Sequence, residues 1–160
     1  MEYNKNNMKE HCIQSLFYNL EQTSRICRAF CEDYFAEETK ELVTLDEFII
    51  LDTIFCFPDI CQRDLAKLIL KGASHTSKLL ATLEQKGVIV RTIDTKQNRI
   101  VKKIIITKKG MEIYKYASKI AWEFAQKIEN AIGKKEAQEC SAFLNKIKET
   151  ISKSKDISFE

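Results

Sequence analysis

The sequence predicts a mainly α-helical fold with one small β-hairpin, and three observations carry that expectation. Apolar residues recur at spacings of three and four through most of the chain, which marks amphipathic helices. One stretch alone changes period: residues 88–93 and 100–106 are rich in Ile and Val and flank a polar turn at 94–99, the pattern of two paired strands. Charge concentrates at the same place. Residues 61–110 hold twelve Lys/Arg against three Asp/Glu, a net +9, while residues 1–60 sum to −7 and 111–160 to +1, which together make the chain's +3.

The first helix is expected over about 11–35, with Ile13, Leu16, Leu20, Cys27, Phe30 and Tyr34 near one face. A second follows Thr44-Leu45-Asp46-Glu47, a sequence able to form a capping box, and runs to about Phe57. Its apolar residues Phe48, Ile49, Ile50, Leu51, Ile54 and Phe55 suit a central buried helix. Asp59 is expected to cap a short third helix, with Gln62 reaching back and Leu65, Ala66, Leu68 and Ile69 following. A fourth helix lies between Gly72 and Gly87. It places Thr76, Leu79, Leu80 and Leu83 on one stripe and Ser74, His75, Ser77, Lys78, Thr82 and Gln85 on the opposite face. Two short helices joined at residues 70–73 read as a helix-turn-helix, and the hairpin after them makes a wing. Thr107 caps a fifth helix running to about Ala131, where Gly133 breaks it. A sixth runs from Lys134 to about Ile151, and residues 152–160 form a polar tail.

A basic helix followed by a basic hairpin is the electrostatic footprint of nucleic-acid binding. Ser74, His75, Ser77 and Lys78, at the exposed start of the fourth helix, are candidate readers of base edges. Gln62, Arg63 and Thr82 are candidate phosphate contacts. Lys96, Asn98 and Arg99 at the wing tip are placed to enter a minor groove, whose negative potential attracts cations. Lys102, Lys103, Lys108 and Lys109 also read as solubilising charge. Thr76 sits on the inner stripe, where its hydroxyl needs a partner such as a carbonyl one turn back.

The run from Leu45 to Gly110 resembles the MarR family of bacterial transcriptional regulators. Three motifs carry the likeness: Gln62-Arg63-Asp64-Leu65-Ala66, then Leu79-Leu80-x-x-Leu83-Glu84-Gln85-Lys86-Gly87-Val88-Ile89, then Ile106-Thr107-x-x-Gly110. Family wings carry an Asp followed by two closely spaced Arg; here only Asn98-Arg99 is present, with Ile100 where the second Arg often sits. The resemblance implies a winged helix-turn-helix core flanked by N- and C-terminal dimerisation helices. In boundaries, it implies one domain over 1–160, with dimerisation helices at 11–43 and 111–151 around a DNA-binding region at 44–110. It implies a sequence-specific regulator of double-stranded DNA, a repressor acting as a homodimer on a near-palindromic operator. It also implies release by a small aromatic ligand, for which Phe17, Tyr34, Phe48 and Trp122 are the candidate lining. Core packing, or for Trp122 the dimer interface, is the competing reading of these aromatics.

Six cysteines are present and none is spaced as Cys-x-x-Cys. They are expected to be buried small hydrophobes. A thiol-responsive regulator, with Cys12 as its sensor, is the alternative that the family resemblance leaves open. No metal site is expected, since His11 and His75 lie far apart and Cys27 with Cys31 would supply half a site. No cofactor is expected. No phosphate loop, nucleophile motif or paired-carboxylate arrangement points to an enzyme. A winged helix serving only protein interaction is a further alternative, which the basic wing disfavours. The polar residues 1–7 and the lack of a long apolar run give the expectation of a cytoplasmic protein.

Overall fold

The computed structural model describes residues 15–96 and 99–154, and of residues 93–96, 99–102 and 154 the backbone only. It comprises helices α1 (Leu16–Thr39), α2 (Leu45–Cys56), α3 (Gln62–Leu68) and α4 (Ala73–Gln85). Strands β1 (Ile89–Lys96) and β2 (Arg99–Ile106) follow, then α5 (Lys108–Ile132) and α6 (Lys134–Ser154). The fold is mostly helical with one two-stranded antiparallel sheet. The chain forms two compact units, one up to Ile120 and one from Ala121 onward.

The core of the first unit is built on α2. Ile50, Leu51 and Ile54 are buried there, as are Leu65 of α3, Leu80 and Leu83 of α4, Val88, Ile89 of β1, Ile104 of β2 and Ala117 of α5. Such side chains each contribute roughly 1.5–3 kcal/mol when withdrawn from water. An aromatic column runs through the same layer. Phe48 packs on Phe35 (ring centroids 5.1 Å apart) and on Tyr114 (6.2 Å), and Phe55 packs on Tyr114 at 4.6 Å. Tyr114 donates its hydroxyl to Asp52 at 2.9 Å, and burial together with that carboxylate pushes its pKa up to about 12.

Most helix ends follow the local chemistry of the sequence. Thr44 and Glu47 form the expected capping box: the Glu47 amide donates to Thr44 Oγ1 at 3.2 Å and the Thr44 amide to Glu47 Oε2 at 2.8 Å. Thr107 Oγ1 accepts from the Gly110 amide at 3.0 Å. Gly87 (φ +69°) and Gly133 (φ +107°) close α4 and α5 in the left-handed region, where glycine carries no Cβ penalty.

The third helix starts later than Asp59 would require. Its cap is Cys61, which makes no side-chain cap bond. The Ile60 amide is already committed to Phe57 O in a turn, Cys61 bridges to Lys103 of β2, and the Asp59 carboxylate pairs with Lys103 at 3.1 Å. Asp59 therefore ties a loop to the wing instead of capping a helix. Helix α1 runs on to Thr39, whose buried hydroxyl donates to Phe35 O at 2.7 Å. Lys40 and Glu41, both at positive φ, end it without a glycine to announce the stop. The strands reach Lys96 and Arg99, into the segment expected as turn, because a hairpin ladder is made by backbone groups and polar residues do not interrupt it. Helix α6 extends to Ser154, three residues past Ile151.

The second unit holds the end of α5 and α6. None of the described residues of α6 is buried. Trp122, expected as core or dimer interface, is 66% exposed and so is no core residue of the single chain. The cysteines expected to be buried are not: Cys27, Cys56 and Cys140 are exposed, Cys31 and Cys61 half-buried. Each lies on a helix face or helix end outside the α2-centred core. No described helix is long and apolar enough to cross a membrane.

Candidate nucleic-acid interface

Helix α4 turns Thr76, Leu80 and Leu83 into the core. The Thr76 hydroxyl donates to Gly72 O at 3.1 Å, so the polar residue on the apolar stripe is satisfied one turn back. The outer face presents Ser74, His75, Lys78 and Thr82 to solvent, with Ser77 half-buried on one flank. The structure thus brings the four candidate base readers together on the first turns of one helix. Gly72 caps that helix without a side-chain bond, and the first amides of a helix carry partial positive charge suited to a phosphate. The Thr82 hydroxyl donates to Lys78 O at 3.1 Å. It must rotate before it can donate to a phosphate oxygen. Gln62 is half-buried in the first turn of α3, and Arg63 beside it is exposed, its Nε 3.5 Å from Asp64.

Lys96 and Arg99 face each other as the last pair of the hairpin ladder. Asn98 and Cys12 lie outside the described residues.

Three ionic ties set where α4 and the wing point. Lys86 Nζ, at the end of α4, donates to both oxygens of Glu47 at 2.9 and 2.7 Å, and Glu47 is only 2% exposed. Arg91 of β1 engages Glu84 of α4 through its guanidinium and its backbone amide, and the side-chain bond holds the Glu84 carboxyl below the usual range. The third tie converges on Asp46, in the first turn of α2. Arg28 Nη2 of α1 donates to Oδ1 at 2.5 Å, Lys71 Nζ lies 3.2 Å from Oδ2, and His75 Nε2 of α4 lies 3.5 Å from the same oxygen. Burial alone would raise the Asp46 pKa, but the hydrogen bonds from Arg28 and Lys71 outweigh it and hold the carboxyl below its ordinary value. Because folding lowers this pKa, the tie stabilises fully above about pH 4 and is lost as pH falls through the folded value. Arg28→Met should therefore flatten the acid limb of a stability-against-pH curve from urea melts; an unchanged limb would discount the tie.

The sequence did not single out Asp46, Lys71 or Arg91. Glu47 was legible as a cap, but its second partner lies 39 residues away, and local spacing carries no signal for that. Three of the candidate ligand aromatics lie in the first unit. Phe17 is exposed, Tyr34 stacks parallel to Phe30 at 6.3 Å, and Phe48 is filled in by Phe35 and Tyr114. A cavity of about 580 Å³ does lie between α1, the 41–46 turn and α4, lined by Arg28, Asp33, Asp46 and Leu79 among others, and none of those three aromatics borders it.

A helix-turn-helix with a polar, basic outer face, followed by a basic antiparallel hairpin and braced by ionic ties, defines a winged helix-turn-helix protein. Residues 43–101 match the model of the MarR family. That segment holds the helix-turn-helix and the hairpin as far as Val101. It is similar to the uncharacterized HTH-type transcriptional regulator YybA of Bacillus subtilis (strain 168), at 26% identity over 117 residues, covering 72% of this chain and 77% of that protein. Among solved structures it is similar to the organohalide-sensing RdhR transcriptional regulator in its 2,4-dichlorophenol-bound form. That likeness has a TM-score of 0.73 and 20% identity, over 94% of this chain and 86% of that one. It is also similar to S. aureus MepR in complex with DNA (TM-score 0.72, 21% identity, 88% and 99% covered). The structural likenesses bear on the fold.

Proposed function

We propose that this chain is a sequence-specific double-stranded DNA-binding regulator that represses transcription as a homodimer on a near-palindromic operator. The observation that carries the reading is the outer face of α4. Ser74, His75 and Lys78 are exposed on a helix whose other face is locked into the core, within a segment of net charge +9. Lys78 donates to guanine O6/N7, and Ser74 and Ser77 serve either base type. Gln62, Arg63 and Thr82 contact phosphates, and Lys96, Asn98 and Arg99 approach the minor groove. The DNA complex of MepR, with the same fold, supports this assignment.

Apolar side chains exposed along α1 (Leu16, Phe17, Ile26, Phe30) and in the second unit (Trp122, Ile132, Phe143, Ile151) support dimerisation through the terminal helices, 11–43 and 111–151. A two-fold dimer then presents two α4 helices to successive major-groove turns, about 34–36 Å apart. A small aromatic molecule acts as the releasing effector; the dichlorophenol-bound form of RdhR supports that class.

The test is selection of genomic duplex fragments by the purified, reduced protein at physiological salt. Enrichment of a near-palindrome with half-sites about one helical turn apart supports the reading, and recovery of unrelated, salt-sensitive fragments contradicts it. On the selected site, Lys78→Ala should lose about 1–3 kcal/mol of specific affinity. A loss equal on all sequences would make Lys78 a phosphate contact instead.

A further inference from the structure

We propose that Asp46 is a positioning residue for DNA discrimination: its carboxylate fixes Lys71 and His75 at the entry of the recognition helix and fastens both to α1 through Arg28. The inference rests on the DNA-binding reading above. Asp46 is itself on α2, and its side chain is only 17% exposed. Its three partners come from three other segments: Arg28 from α1, Lys71 from the turn before α4, and His75 from the first turn of α4. Two of the three therefore flank Ser74, whose side chain is exposed. His75 lies on the flank of α4 that also carries Leu79, and Leu79 lines the same cavity as Arg28 and Asp46.

The carboxylate does two things at once. It neutralises charge that would otherwise seek any phosphate, and it restricts the orientation of side chains that stand beside the base readers. A lysine or histidine held in one place contributes to a sequence-dependent contact. The same group on a loose tether contributes a sequence-independent one, because phosphate contacts position a protein without reading sequence. Asp46 thus shifts the interface from general attraction towards discrimination, and Arg28 makes that shift depend on where α1 lies.

Asp46→Asn keeps the shape of the side chain and removes its charge. Preference for the selected duplex over a scrambled one should fall at least tenfold. Affinity for the scrambled duplex should rise, and its dependence on log salt should steepen by about one as Lys71 is freed, since each new phosphate contact adds roughly 0.9 to the slope. A merely structural role would lower both affinities together and leave the slope alone. Lys71→Met made in the Asp46→Asn background should then reverse part of the steepening. Arg28→Met, which leaves α2 intact, serves if the first variant fails to fold; it should also cut the preference. An unchanged preference and slope in folded Asp46→Asn or Arg28→Met would overturn the proposal while leaving the DNA-binding reading standing. A wild-type protein that shows no preference would instead sink that reading itself.

Discussion

Gly110→Ala is expected to destabilise the winged body by about 3 kcal/mol, the upper end for overpacking a close-packed site. A Cβ built on Gly110 would fall 2.0 Å from the Val88 carbonyl oxygen and 2.9 Å from Ile106 Cγ2. Neither neighbour can retreat cheaply. Val88 O accepts from the Thr107 amide at 3.0 Å and from the Thr107 hydroxyl at 3.1 Å, so moving it opens the junction between β1 and α5. Val88 and Ile89 are fully buried there. The hairpin root would shift, and the wing would be re-aimed. Urea unfolding followed by circular dichroism reads the effect as a lowered midpoint, and 3 kcal/mol is a large share of the 5–15 kcal/mol that holds a typical domain. A midpoint equal to the wild type would show that the Gly110 contact is not tight.

Lys86→Met should cost a similar amount by a different route, about 3–5 kcal/mol. Methionine fills much of the lysine volume but donates nothing. The Glu47 carboxylate would keep the Thr44 amide as a donor, at a site almost closed to water. Breaking one side of a buried pair strands a charge, which costs more than the pair itself is worth. The double variant Glu47→Gln with Lys86→Met removes both charges and should recover part of the loss. If the single and double variants unfold at the same urea concentration, the penalty does not come from a stranded carboxylate. Since the same pair joins the start of α2 to the end of α4, the single variant should also weaken DNA binding more than its folded fraction explains.

Much of the fold could be read from residues close in sequence. The capping box at Thr44 and Glu47, the glycines that close α4 and α5, and the Thr107 cap all act within four residues, and the structure shows each of them. The inner stripe of α4 was legible for the same reason: helical period alone selects Thr76, Leu79, Leu80 and Leu83, of which Leu79 is half-buried and the other three buried. The failures share a cause as well. Asp59 looks like a cap until Lys103, 44 positions later, draws its carboxylate to the wing. Helix α1 ends at two non-glycine residues in the left-handed region, which no preference of Lys40 or Glu41 announces. Asp46, Lys71 and Arg28 become a site only when three segments are folded together. The cysteines misled because burial frequency is a property of residue type, and these occupy faces that the single chain leaves open.

The same limit applies to the candidate effector site. The family resemblance implied an aromatic lining, with core packing as the competing reading, and Phe48 packs its ring on Phe35 and Tyr114. The cavity beside α1 is bordered by Arg28, by carboxylates such as Asp33 and Asp46, and by apolar residues such as Val43 and Leu79. Aromatic content alone does not separate a core column from a pocket; the packing partners do.

The most direct test of the central claim is an anisotropy titration of the wild-type protein with its selected duplex and with a scrambled duplex, both at physiological salt. A sequence-reading dimer should prefer the selected duplex by about 10³-fold or more, and scrambling one half-site should remove most of that preference. Equal affinity for the two duplexes, with a shared steep salt dependence, would contradict the account.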